Sequence, residues 1–375
     1  MSWPSSLALS FDTIKRTITT KSTSTVEPKT RLYHRKHTGA LMVQRPLYPE
    51  PRAQQGICHI LMLYPPAGIA GGDTLTIDIC LDQNSHAVIT TPGAGKWYGK
   101  DSISQQRKSS NRQSDNQLEM QSDIHSDIHS DMQSKLDGKT IRENNNVVDG
   151  KDTDQPGIAE HASQHVQASL KAHARLEWLP QESIIYNEAN MHATSRFDLQ
   201  ASSSLMTWEI SVFGRQAYDE QFMQGRYHTG LNIYREGRVI VAERVAQSAQ
   251  SRWFTSALGL AGQHVYGSFW AVPSLSDVHE KPIPLESKTA ESTATAQAII
   301  KQASTLYLDS TVLMLRQAIA QAGLPIYCTH NYQAVNIRYI GSDVRACFEA
   351  FYQLREVLRD HWWQLEPCRP RIWDT

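Results

Sequence analysis

Gly95-Lys96, in the stretch TTPGAGKWYGK, has the last glycine and the lysine of a phosphate-cradling loop. Such a loop also needs an earlier glycine and, after the lysine, a small hydroxyl that reaches magnesium. Thr90 and Trp97 stand at those two positions. Gly138-Lys139-Thr140 ends correctly, but Gln133 replaces its first glycine. Neither stretch can hold a nucleotide, so a nucleotide used by this protein is expected on a partner. His279-Glu280 begins like the zinc motif H-E-x-x-H, but Ile283 stands where the second histidine belongs. No G-x-S-x-G nucleophile turn occurs. The five cysteines, Cys58, Cys80, Cys328, Cys347 and Cys368, are odd in number and scattered. Buried, inert thiols are expected rather than disulfides or a zinc clamp. The expectation is a protein that is not an enzyme. A hydrolase with a dispersed active site on a β-scaffold is the alternative, because triads are defined by geometry rather than order. A carbohydrate- or protein-binding β-module is the other.

One tract has metal-ligand chemistry. SDIHSDIHSDMQ, residues 122–133, repeats a four-residue unit and places His125 and His129 beside Asp123 and Asp127. These can hold a divalent ion weakly. A slipped low-complexity repeat with no task is the plainer explanation. The repeat lies within residues 101–166, which contain no Phe, Trp or Tyr and many Ser, Gln and Asn. Such a composition cannot offset chain entropy, so a disordered low-complexity insertion is expected there. Residues 275–296 read as a long polar loop.

The rest must position whatever chemistry exists, and it reads mainly as strand. In TLTIDICL, Leu75, Ile77, Ile79 and Leu81 alternate with polar or small neighbours, the period of a half-buried strand. SIIYNEANMHATSRFDLQASSSLMTWEISVF alternates similarly, with turns at NEAN and QASSS. GLNIYREGRVIVAERV predicts a hairpin turning at Arg235-Glu236-Gly237. The glycines of YPPAGIAGGD predict tight turns with positive φ. Two helices are predicted. One covers about 311–322, stopped by Gly323 and Pro325; the other covers about 343–360, with Val344, Cys347, Phe348, Phe351, Leu354 and Leu358 on one face. Strands follow one another rather than alternating with helices, so the fold class is mainly β: stacked sheets, β-helix-like or sandwich-like, in a single domain spanning 1–375 with about two α-helices.

Lys plus Arg (37) nearly balances Asp plus Glu (38), which argues against nucleic acid or an anionic membrane as the main partner. No apolar run is long enough to span a bilayer and the N-terminus lacks a secretory pattern, so a cytoplasmic location is expected.

LMLYPPAGIAGGD, TTPGAGKWY, LEWLPQESI, MTWEISVFGR, VQRPLYPE and the ending PRIWDT occur in this order except that VQRPLYPE comes first. Together they resemble the urease accessory protein D family, called H in some organisms, over roughly 33–100, 168–255 and 324–375. The resemblance implies a non-catalytic chaperone of nickel insertion that works with urease accessory proteins F and G and docks on apo-urease. It implies no permanent cofactor, with nickel in transit and GTP bound by G. The fold implied is a body of stacked sheets wound like a helix, with two helices.

A conduit for an ion needs several weak sites rather than one strong one, and carboxylates hold nickel more weakly than imidazole or thiolate. Asp73, at the end of GIAGGD, Glu209 in MTWEISVFGR and Glu243 in VIVAERV are therefore the candidate path residues. Asp73 alternatively closes its own turn. On a strand over 205–213, Glu209 shares a face with Leu205, Thr207, Ser211 and Phe213, and either pairs with Arg215 or Arg244 or lines a wet channel. Glu177 and Glu182 are expected at the surface or a hinge. Gly95 stands where many family members carry a small hydroxyl. Lys96, Trp97 and Tyr98 pack or face a partner. Trp373 and Arg371 in the C-terminal PRIWDT are candidate interface residues, against docking of the tail on its own sheet.

Overall fold

The computed structural model describes residues 4–19, 24–51, 56–64, 68–99, 161–278 and 290–374. The insertion containing His125 and His129, and residues 279–289 of the expected polar loop, lie outside the described residues.

Strands β1 (Pro4–Thr19) and β2 (Ser24–Thr38) form a long hairpin, and β3 (Met42–Val43) leads to β4 (Cys58–Leu63). β5 (Thr74–Leu81), β6 (His86–Thr90) and β7 (Gly95–Trp97) follow. After the undescribed segment come β8 (Ala162–Leu170), β9 (Arg175–Leu179), β10 (Ser183–Ile185), β11 (Asn190–Leu199) and β12 (Ser204–Phe213). The chain continues through β13 (Arg226–Arg235), β14 (Arg238–Ser248) and β15 (Val265–Val272). Helix α1 (Ala290–Ala322), strands β16 (Tyr327–His330) and β17 (Val335–Gly341), and helix α2 (Val344–Trp363) complete it.

Two sheets result, one ordered β14-β13-β11-β8-β5-β1-β2 and the other β16-β17-β15-β12-β9-β6-β4-β3. From β4 to β13 the main strands alternate between the sheets, so each returns beside its predecessor in parallel. Parallel neighbours usually need a helical crossover. Here the crossover is a strand of the facing sheet, which gives the body its solenoid-like winding. The mainly β class with two helices, expected from alternation and consecutive strands, is the class observed.

The inner faces of the sheets interdigitate Leu7, Phe11, Ile60, Ile77, Phe197 and Leu205, among others. The helices cover the opposite face of the larger sheet, where Trp208, Phe269, Leu315, Phe351 and Leu358 pack together. Strand alternation decides which layer each side chain enters: on β12 the even-numbered Met206, Trp208, Ile210 and Val212 meet the helices, and Leu205 and Phe213 meet the other sheet. Gly267 allows α2 to approach β15, since a Cβ there would lie 2.6 Å from the Cys347 sulfur. Asp343 caps α2, its carboxylate accepting from the Arg345 and Ala346 amides.

Two boundaries differ from expectation. The first helix begins at Ala290, inside the expected polar loop, because AESTATAQAII is rich in helix-forming alanine, and a single helical turn occurs at Leu275–Val278. Strand β8 starts at Ala162, inside the expected insertion. Its Ala162, Val166, Ala168 and Leu170 alternate with polar residues, a strand signal that the lack of aromatics conceals. The β13–β14 hairpin, by contrast, turns where the sequence predicts, at Glu236 and Gly237, both with positive φ (48° and 73°).

Candidate functional site

Glu209 projects from β12 toward the facing sheet, on the face shared with Leu205, Thr207, Ser211 and Phe213, as the alternation predicts. It lines a cavity of about 50 Å³ between the sheets, with Glu243, Gln164, Thr229, Tyr64 and Ser268 also in the wall. A space of that size with polar walls holds a few waters. Glu209 lies deep in the fold, yet its neighbours do not seal it.

The two carboxylates come from opposite sheets and have different surroundings. Glu243, on β14, accepts hydrogen bonds from the Tyr266 hydroxyl (2.9 Å), the Ser268 hydroxyl (3.0 Å) and Trp270 Nε1 (2.5 Å). Arg338 of β17 lies 2.7 Å from its Oε1 and also reaches the Tyr266 hydroxyl. Glu209 has no such set: among the described residues no hydrogen bond or ion pair engages it. The two arginines considered as partners are elsewhere. Arg215 binds Glu220 at 2.6 Å, and Arg244 lies on the exposed side of β14. Burial, reinforced by the charge of Glu243, pushes the Glu209 carboxyl up to about 8. At neutral pH Glu209 therefore keeps its proton, and a cation entering the cavity would displace it.

Asp73 lies outside this cavity wall. Its carboxylate accepts from the Ala70 amide at 2.9 Å and its own amide donates to the Ala70 carbonyl, so it closes the GIAGGD turn. Gly68 and Gly72 in that turn have positive φ, as predicted, whereas Gly71 does not. The structure thus joins Glu209 with Glu243 and leaves Asp73 apart.

At the loop TTPGAGKWY, Trp97 and Tyr98 are buried and Lys96 is exposed. Gly95 lies beside the cavity wall: a Cβ on it would sit 3.6 Å from the Ser183 hydroxyl and 3.8 Å from Tyr64. The buried Trp97 Nε1, also 3.8 Å from that position, has no hydrogen-bond partner among the described residues. A hydroxyl at position 95 would come within reach of that donor.

Trp373 is half-buried. Its indole donates to the Thr90 hydroxyl at 2.8 Å and packs edge-on against Phe348 at 4.9 Å. The tail docks on its own body because one indole satisfies both an apolar and a hydrogen-bonding demand there. Arg371 remains exposed.

Glu177 is also displaced from its expected surface or hinge position. It is fully buried on β9, facing α2, 2.6 Å from Arg355 and 2.8 Å from His86. β9 is central in its sheet and α2 covers it, so exposure is impossible. Glu50 joins the same buried layer, 2.8 Å from both His59 and Arg359. Hydrogen bonding and the arginine charges hold both carboxyls below their usual range, against the effect of burial. Desolvation keeps His86 neutral, its value lowered to about 4. Glu50, His59 and Cys368 bring ligand atoms within 4.8 Å of one another. The Arg359 guanidinium already supplies the positive charge at Glu50, so this cluster is an ion-pair core. The sequence signal for it is Arg355 and Arg359, four residues apart and in step with Phe351 on the apolar stripe of α2.

The family model described as UreD urease accessory protein matches residues 19–127 and 149–374. The chain is 48% identical over 384 residues to a protein of Psychrobacter cryohalolentis named urease accessory protein UreD 2, covering 100% of both chains. It is 32% identical to the urease accessory protein UreD of Acinetobacter baumannii strain ACICU, over 92% of this chain and 90% of that one. A Methylobacillus flagellatus protein of the same name is 29% identical over the same shares.

Proposed function

This chain belongs to the UreD urease accessory protein family, and from that premise we propose that it delivers nickel to apo-urease together with accessory proteins F and G. In this reading the chain performs no turnover and keeps no cofactor. GTP is bound by G, in keeping with the incomplete loop at Gly95-Lys96. Nickel is cargo, and it passes through the cavity between the sheets.

The observation that carries the reading is the unequal pair of carboxylates. Glu243 is held by Arg338 and three neutral donors, whereas Glu209 faces the same cavity without a counter-cation among the described residues. A divalent ion gains from both charges, and Arg338 limits that gain. Carboxylate oxygens and water exchange nickel faster than a histidine or thiolate cage would. Such a site holds an ion briefly and releases it.

The test is co-expression of Glu209→Ala with F, G and urease at low nickel. The nickel content of purified urease should fall while the accessory complex is recovered intact. Unchanged nickel loading would remove Glu209 from the path. Loss of the complex itself would assign Glu209 a structural task. Replacing Asp73 by Ala in the same assay separates a path role from turn closure: a pure turn role lowers complex recovery and nickel loading together.

A further inference from the structure

Four histidines gather on the face of the smaller sheet that points away from the larger one. His161 immediately precedes β8, His165 is on β8, His192 on β11 and His228 on β13. Parallel register sets His192 opposite His228 and opposite Ser163, midway between His161 and His165. The His192 ring lies 4.4 Å from His228, 5.4 Å from His161 and 5.8 Å from His165, centroid to centroid. His161 is exposed and the other three are half-buried.

Outward positions of a sheet are ordinarily polar, and a single histidine there needs no explanation. Four that converge across three strands do. Protonated, they would repel one another, and among the described residues no carboxylate pairs with any of them. A neutral imidazole offers a nitrogen lone pair, and that is the form in which it binds metals. His165 is oriented by a hydrogen bond between its Nδ1 and the Thr194 hydroxyl at 2.8 Å, which leaves Nε2 for a ligand.

We propose that His161, His165, His192 and His228 form a surface binding site for a late first-row divalent cation of the nickel or zinc class, with His192 at its centre. The stacked rings of His192 and His228 show each other their faces rather than their nitrogens. Capture therefore involves rotation of one ring about its side-chain torsions, and the part-exposed sheet face permits it. The Gly72 amide donates to the His161 carbonyl at 3.1 Å, so the cluster adjoins the turn closed by Asp73. The proposal is independent of the carboxylate cavity, which lies between the sheets.

The test uses the full chain, dialysed against nickel chloride, with bound nickel measured by elemental analysis. A background carrying His125→Ala and His129→Ala removes the imidazoles of the repeat. One nickel per chain should persist in that background and show imidazole scattering in X-ray absorption. His192→Ala and His228→Ala should each weaken binding by about tenfold or more. His161→Ala, outside the strands, should weaken binding without altering circular dichroism, so that loss of metal is separated from loss of fold. Wild-type affinity in His192→Ala, or disappearance of all binding in the His125/His129 background, would overturn the assignment.

Discussion

Glu209 and Glu243 line one cavity from opposite sheets, and Glu243 alone of the two is matched by a guanidinium, that of Arg338 at 2.7 Å. This inequality determines how each should respond to substitution and to pH.

Glu209 should make the fold less stable as pH rises. Its carboxyl is raised from 4.5 to about 8, so between those values the folded state keeps a proton that the unfolded state has lost. Stability from this group falls across that window. Glu209→Gln should match the wild type near pH 4.5 and exceed its melting temperature at pH 8 and above. Equal melting curves at pH 8.5 would show that the carboxylate is solvated rather than desolvated.

The ion-pair layer behind α2 should fail when one member is removed. Arg355→Ala leaves Glu177 buried beside His86, with Arg359 at 3.6 Å as the remaining guanidinium. Breaking a buried pair in this way costs about 3–5 kcal/mol. Urea unfolding should show the loss in the midpoint. A change below about 1 kcal/mol would mean that Arg359 or water takes over the task.

Acid should loosen the same layer before the carboxylates titrate. His86 is lowered from 6.5 to about 4, so the unfolded chain takes up a proton in that interval that the folded chain refuses. The contribution is complete above 6.5 and is lost as pH falls toward 4. His86→Gln should flatten the stability profile across that interval, measured by thermal unfolding at half-unit steps. An unchanged slope would mean that His86 does not carry it.

Gly95→Ser should be accommodated and modestly stabilising. The φ of Gly95 is not positive, the added Cβ meets ordinary contacts, and the hydroxyl can accept from the orphaned Trp97 Nε1. A gain of about 1 kcal/mol is expected from the new hydrogen bond and the reduced freedom of the unfolded chain. A lower melting temperature would mean that the space beside Gly95 is already filled by water.

Deletions of the insertion should divide at residue 161. Removing 101–159 with a short linker leaves β8, which starts at Ala162 and pairs with both β5 and β11. Removing 101–166 takes away Val166, which belongs to the core between the sheets. The first variant should fold and support urease activation, and the second should not be recovered in soluble form. Equal recovery of both would show that this end of β8 is dispensable.

The amino-acid order alone determined the strand at β5, which face of β12 carries Glu209 and where the β13–β14 hairpin turns. Those properties follow from two-residue alternation and from turn residues, both local. It also carried enough motif to suggest the family. Tertiary structure decided the rest. Glu209 and Glu243 meet only because β12 and β14 lie in facing sheets, and Glu177 finds Arg355 across 178 residues. The four histidines become neighbours only when β8, β11 and β13 lie side by side in register. Charge partners and ligand clusters are relationships of distance. A solenoid-like winding brings together residues far apart in the chain, and no local pattern records that.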